Sequence, residues 1–87
     1  MLKYILSFFI PKCYDLFLRY DPIPNKNIVV DILSSALQID QQMSEALYNA
    51  SAKSGQWCIA SSVNKKEIET LQFSLNQKGL KTYVEVN

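Results

Sequence analysis

Gly55 and Gly79 are the only glycines in the chain, and each stands where a helix-spaced apolar stripe gives way to alternation. Glycine takes the left-handed backbone at no steric cost, which is the conformation that ends helices. The two positions therefore predict two helix–glycine–strand units. Before Gly55, Asp40 caps a helix over 41–54 that turns Met43, Ala46, Leu47 and Ala50 inward. Before Gly79, Asn64 with Glu67 three residues on gives a capping-box-like start to a helix over 65–78, striped by Ile68, Leu71 and Leu75. Leu80 covers the last turn of that helix. The strands that follow are 56–61, around Trp57-Cys58-Ile59-Ala60, and 82–86, Thr82-Tyr83-Val84-Glu85-Val86.

Upstream, Tyr14, Leu16, Leu18 and Tyr20 alternate with Asp15, Phe17 and Arg19, which predicts a strand over 14–20. Pro22 and Pro24 stand too close together for a helix interior or a central strand, so 21–26 is a loop. Asn27 caps a helix over 27–37 with Val29, Ile32, Leu33 and Ala36 inward, and Leu37-Gln38-Ile39 is a short link. The order is β-α-α-β-α-β. This predicts an α+β domain over 13–87 with a three-stranded antiparallel sheet and helices on one face. The other sheet face then carries Asp15, Phe17 and Arg19 from the first strand, with Lys81, Tyr83 and Glu85 from the last. Phe17 and Tyr83 form its apolar centre.

The first twelve residues are a separate apolar extension, MLKYILSFFIPK. Leu2, Tyr4, Leu6, Phe8 and Ile10 alternate, so the run reads as an added strand. It lacks a small-x-small cleavage site before Pro11 and is less than half the ~20 residues of a membrane-spanning helix. The expectation is a strand over 2–10, beside the first strand or near the open face, that mediates self-association or partner contact.

Composition excludes several function classes. Nine Lys and Arg against eight Asp and Glu leave a net charge of +1, too little for a binder held by phosphate neutralisation, so no nucleic-acid partner is expected. There is no histidine, which removes every His-based base, nucleophile activator and metal ligand. Cys13 and Cys58 lie far apart in apolar runs and read as buried free thiols in a reducing cytoplasm. The hydroxyl pairs Ser34-Ser35 and Ser61-Ser62 have no imidazole to activate them. Glu67 and Glu69 are two apart on a helix and do not face each other. Asp31 and Asp40 lie near helix ends, where capping explains them, and Lys65-Lys66 is a solvated pair at a helix start. With glycine only at 55 and 79, no phosphate-cradling loop exists. These readings predict no cofactor, no metal and no enzymatic activity.

The run from Tyr14 to Val86 resembles the core of the Clp protease adaptors (ClpS) and of the ribosomal stalk protein's C-terminal domain, which share a fold. The strand and Asp21-Pro22 loop followed by NIVVDIL, Gly55 before a short strand, and VNKKEIETLQFSLNQKGLKTYVEV carry the resemblance. The adaptor resemblance implies a pocket between the acidic loop and the second helix that holds the first residue of a degron peptide. Asp21 falls on the acid that pairs with the peptide's amine, and Val29 on a pocket wall. The sequence departs elsewhere. Tyr20 stands where the family keeps asparagine, Lys26 where an apolar gate is expected, Ala52 where a histidine contacts the amine, and Tyr48 in place of a slim methionine. A lysine there repels an ammonium group, so degron binding is not expected. The stalk resemblance implies a basic face for translation factors, but the matching Val30-Asp31-Ile32-Leu33-Ser34-Ser35 has no basic residue.

Two functions follow as expectations. One is a non-enzymatic, adaptor-like module that docks a protein or peptide partner, with Asp21, Lys26, Tyr48 and Ala52 in its groove and Phe17 and Tyr83 on the open face. The other is a toxin-neutralising immunity protein or small inhibitor that covers one folded target over ~1,200–2,000 Å².

Overall fold

The computed structural model describes residues 12–86. The elements are β1 (Tyr14–Arg19), α1 (Lys26–Leu37), α2 (Gln41–Ser54), β2 (Gln56–Ser62), α3 (Lys65–Gln77) and β3 (Thr82–Val86). They form an α+β domain whose sheet is antiparallel throughout, in the order β2-β1-β3. The alternation of β1 works as read. Leu16 and Leu18 are buried and meet Val29 and Leu33 of α1, Ile68 and Leu75 of α3, and Leu80 in one core.

The helix ends follow the capping signals, with one change. Asp40 accepts from the Met43 N–H at 2.7 Å, and Asn64 from the N–H groups of Lys66 and Glu67 at 3.0 and 3.3 Å. The cap of α1 is Asn25, not Asn27. Its side chain accepts the Asn27 N–H at 2.8 Å, and the helix begins one residue earlier than the spacing implied. Gly55 and Gly79 have φ of +87° and +95°. After α3, the Leu80 N–H returns to the Leu75 carbonyl at 3.1 Å, and the buried Leu80 side chain covers the turn. Gln38, at φ +55°, closes α1 in the left-handed region without a glycine.

The buried face of α2 differs from the apolar reading. Met43 is 54% exposed, whereas Ser44 and Ser51 are fully buried. Leu47 and Tyr48 pack beside the core. The inward stripe is thus Ser44, Leu47, Tyr48 and Ser51. Each serine hydroxyl donates to a carbonyl close by in the chain, Ser44 to Asp40 at 3.0 Å and Ser51 to Tyr48 at 2.8 Å. A buried hydroxyl that is hydrogen-bonded carries little desolvation cost, and its small size lets the helix pack closely.

β1 is the central strand, flanked by β2 from Tyr14 to Arg19 and by β3 from Tyr14 to Leu18. No edge of β1 is free, so an added strand cannot pair beside it. The expected strand over 2–10 itself lies outside the described residues. The register with β2 slips between Leu16 and Phe17, leaving Ile59 as the extra residue of a bulge. Ile59 and Ala60 both pack against the core as a result.

Candidate functional site

The β1–α1 loop, α2 and the start of β3 meet in a cleft lined by Leu18, Tyr20, Asp21, Val29, Tyr48 and Lys81, among others. β1 delivers Tyr20 and Asp21 at its end. The prolines then turn the chain into α1, and Asp21 holds that turn by accepting the Ile23 N–H at 3.1 Å. Its other oxygen lies 3.4 Å from the Lys81 ammonium. The Asp21 side chain is only 12% exposed, so both of its oxygens are engaged within the fold.

Tyr48 closes the cleft from α2. Its ring meets that of Tyr20 edge-on, with centroids 6.0 Å apart, and the Lys26 ammonium stands 5.9 Å from its centroid. Lys26 is held there by Glu45 at 3.5 Å. The free space left is about 10 Å³. That is roughly the room of one water and far less than a large side chain fills.

The sequence-derived residues therefore separate into groups. Asp21 and Tyr48 line the cleft, as do Val29 and Tyr20. Lys26 stands over the Tyr48 ring. Ala52 is exposed on α2 and is not among the lining residues. Phe17 and Tyr83 lie on the far side of the sheet, stacked at 5.1 Å with an interplanar angle of 11°. Lys81, which alternation assigns to the open face with Tyr83, instead reaches Asp21. No local pattern signals that contact.

Desolvation raises the Tyr48 phenol above the usual tyrosine value, and the neighbouring Tyr20 phenol adds to the rise. Tyr83 is raised by desolvation and by Glu85, against a smaller lowering by Arg19. A phenol whose folded pKa is raised contributes stability that is complete below the unfolded value of ~10 and is lost as pH rises through the folded value. Tyrosinate absorbance titration should accordingly show two of the tyrosines ionising late, and only one in Tyr48→Phe. Two ordinary titrations at positions 48 and 83 would contradict the packing described.

A wider groove of about 890 Å³ lies between the C-terminal end of α1, β2 and the first turns of α3, lined by Ala36, Leu37, Ala60, Lys66, Glu67 and Leu71 among others. It contains none of the expected binding residues Asp21, Lys26, Tyr48, Ala52, Phe17 and Tyr83. Among the described residues, no group of three or more Cys, Asp or Glu is placed to hold a metal ion. None of the described helices is long and apolar enough to cross a membrane.

The sequence matches no protein-family model, and no curated protein is similar to it. Among solved structures, ClpS2 of Agrobacterium tumefaciens, bound to L-phenylalaninamide, superimposes with a TM-score of 0.73 over 90% of this chain and 100% of that one, at 13% identity. The chain has a ClpS-like fold. At that identity the likeness lies in the backbone arrangement, so what occupies the cleft is decided by this chain's own residues.

Proposed function

We propose that the chain is a non-enzymatic, adaptor-like protein-binding module that docks its partner on the surface over the cleft, through Tyr20, Lys26 and Tyr48, rather than inside it. The observation that carries this reading is that the cleft at Asp21, where the adaptor resemblance implies the peptide pocket, is filled by the chain itself. ClpS2 in the matching structure holds L-phenylalaninamide, a bulky ring with a free amine. Here the Tyr48 ring lines the cleft, and the Lys81 ammonium pairs with Asp21, the acid that the adaptor resemblance assigns to a peptide's amine. What remains outside is a rim of half-exposed Tyr20, the paired Lys26 and the exposed apolar Ile23 and Ile28. Aromatic and apolar side chains in one place suit the core of a protein interface, with the charged Lys26 at its edge. The free thiols of Cys13 and Cys58 are compatible with the reducing cytoplasm proposed for it.

The inhibitor reading draws on a different observation. Exposed apolar side chains also occur away from the cleft, at Trp57 on β2 and Phe73 on α3. That spread suits one folded target covered broadly.

Affinity capture with the full chain and with Lys26→Glu separates these readings from a rim without function. We expect a saturable protein partner whose recovery falls at least ~10-fold in Lys26→Glu, as for a charge reversed within an interface. Equal recovery by both proteins would remove the rim from the binding surface.

A further inference from the structure

The helices pack on the face of the sheet that carries Leu16 and Leu18, and the residues that alternate with these build the other face. That open face is ordered in three rows. The register pairs Ser61, Asp15 and Glu85 across β2, β1 and β3 in one row, and Cys58, Phe17 and Tyr83 in the next. The third row holds Gln56 beside Arg19, with Lys81 joined by the Arg19 N–H to Lys81 carbonyl bond of 2.9 Å. The face therefore runs from acidic through aromatic to basic along the strand direction.

Side-chain contacts support the assignment. Phe17 stacks on Tyr83, and the Arg19 guanidinium stands 5.9 Å from the Tyr83 ring centroid. The Ser61 hydroxyl donates to Asp15 at 2.7 Å, and the Cys58 thiol lies 3.6 Å from the same hydroxyl. Asp15 and Glu85 are direct cross-strand partners of like charge, an arrangement that is unfavourable unless a cation joins it.

We propose that this face is the interface of a symmetric dimer, its occupant a second copy of the same chain. A two-fold axis along the Cys58–Phe17–Tyr83 row reverses the strand direction and turns the faces together. Each residue of the aromatic row then meets its own copy. Asp15, beside Glu85, meets Arg19 of the second copy, while the Lys81 ammonium stays on Asp21 of its own chain. The Asp15–Arg19 contact occurs twice, as an isologous interface requires. No other orientation of the two rows satisfies the acidic end and the basic end at once. The charge pattern of the face is what selects a second copy over an unrelated partner.

The size of the face sets the strength. Three strands give an area roughly 15 Å across and 17 Å along. That is smaller than the ~800 Å² per partner of a standard interface, so the dimer is weak and reversible. Its charge contacts are peripheral, so salt weakens it.

Sedimentation velocity on the full chain tests the proposal. The expected result is a monomer–dimer equilibrium that rises with concentration through the micromolar range and weakens in high salt. Arg19→Glu should shift its midpoint to at least ~10-fold higher concentration, and Asp15→Lys/Glu85→Lys should do the same. Mixed in equal amounts, the two variants have complementary faces and should form a heterodimer. Recovery in the mixture also shows that both variants are folded. A short bismaleimide should join wild-type chains through Cys58, with the product lost in Cys58→Ser and kept in Cys13→Ser. A wild-type chain that stays monomeric throughout would overturn the proposal. So would a dimer that none of these variants weakens, which would place the contact on another surface, residues 2–10 included. A mixture that fails to associate would overturn it as well.

Discussion

Leu75→Ala is expected to destabilise the folded chain by about 2–5 kcal/mol, read as a lowered midpoint in denaturant unfolding. Leu75 is fully buried on α3 and belongs to the cluster that joins the inner face of β1 to the helices through Leu16, Leu18 and Leu33. A two-layer domain of this length has one core, so a cavity there has no second cluster to share the loss. Leu71→Ala, on the same helix but only half-buried, should fall at the lower end of that range or below it. Phe73→Ala should stay within about 0.5 kcal/mol, because Phe73 is largely exposed. Equal costs at 71, 73 and 75 would contradict the orientation of α3.

The second large effect concerns the cleft. In Tyr48→Ala/Lys81→Ala the ring that fills the cleft is gone and Asp21 has lost its cation. A ring-sized apolar space then opens beside Val29 and Leu80, with a carboxylate at its mouth. Apolar cavities of this kind accept small aromatic molecules. L-phenylalaninamide should bind the double variant at least ~100-fold more tightly than the wild type, since a filled site and a paired acid are both removed. Amide chemical shifts of Val29 and Leu80 should move on titration. Tyr48→Ala alone should gain less, because Lys81 still holds Asp21. A double variant that binds no better than the wild type would mean that the cleft collapses, and that its filling is not what excludes the ligand.

Much of the fold was legible because its signals are local. Gly55 and Gly79 end their helices by a backbone preference that needs no tertiary contact. Asp40 and Asn64 cap by reaching three residues at most. The open face was legible too, since strand alternation places Phe17 and Tyr83 on one side once β1 and β3 pair. The inward face of α2 was not. Hydropathy counts Ser44 and Ser51 as polar, and their hydroxyls become acceptable inside only by bonding to nearby carbonyls. The central place of β1 was also hidden, because strand order depends on which edges the helix connections leave free.

The candidate site shows the same division. Asp21, Val29 and Tyr48 could be placed around one cleft only through the family resemblance. The Lys81–Asp21 pair joins the start of β3 to the β1–α1 loop, and a contact between opposite ends of the chain leaves no periodic trace. Ala52 was placed by correspondence alone, and a methyl group carries no contact that would draw it to the cleft. The expected gate at Lys26 turned instead onto Tyr48, held by Glu45.

Fluorescence anisotropy with a labelled peptide that begins in phenylalanine, titrated with the wild-type full chain, tests the filled cleft most directly. The expected trace is flat through the micromolar range, with the same peptide carrying an acetylated amino terminus giving the same trace. Saturation at low micromolar concentration that acetylation or Asp21→Asn abolishes would show that Tyr48 and Lys81 yield to an incoming residue, and would contradict docking over the cleft.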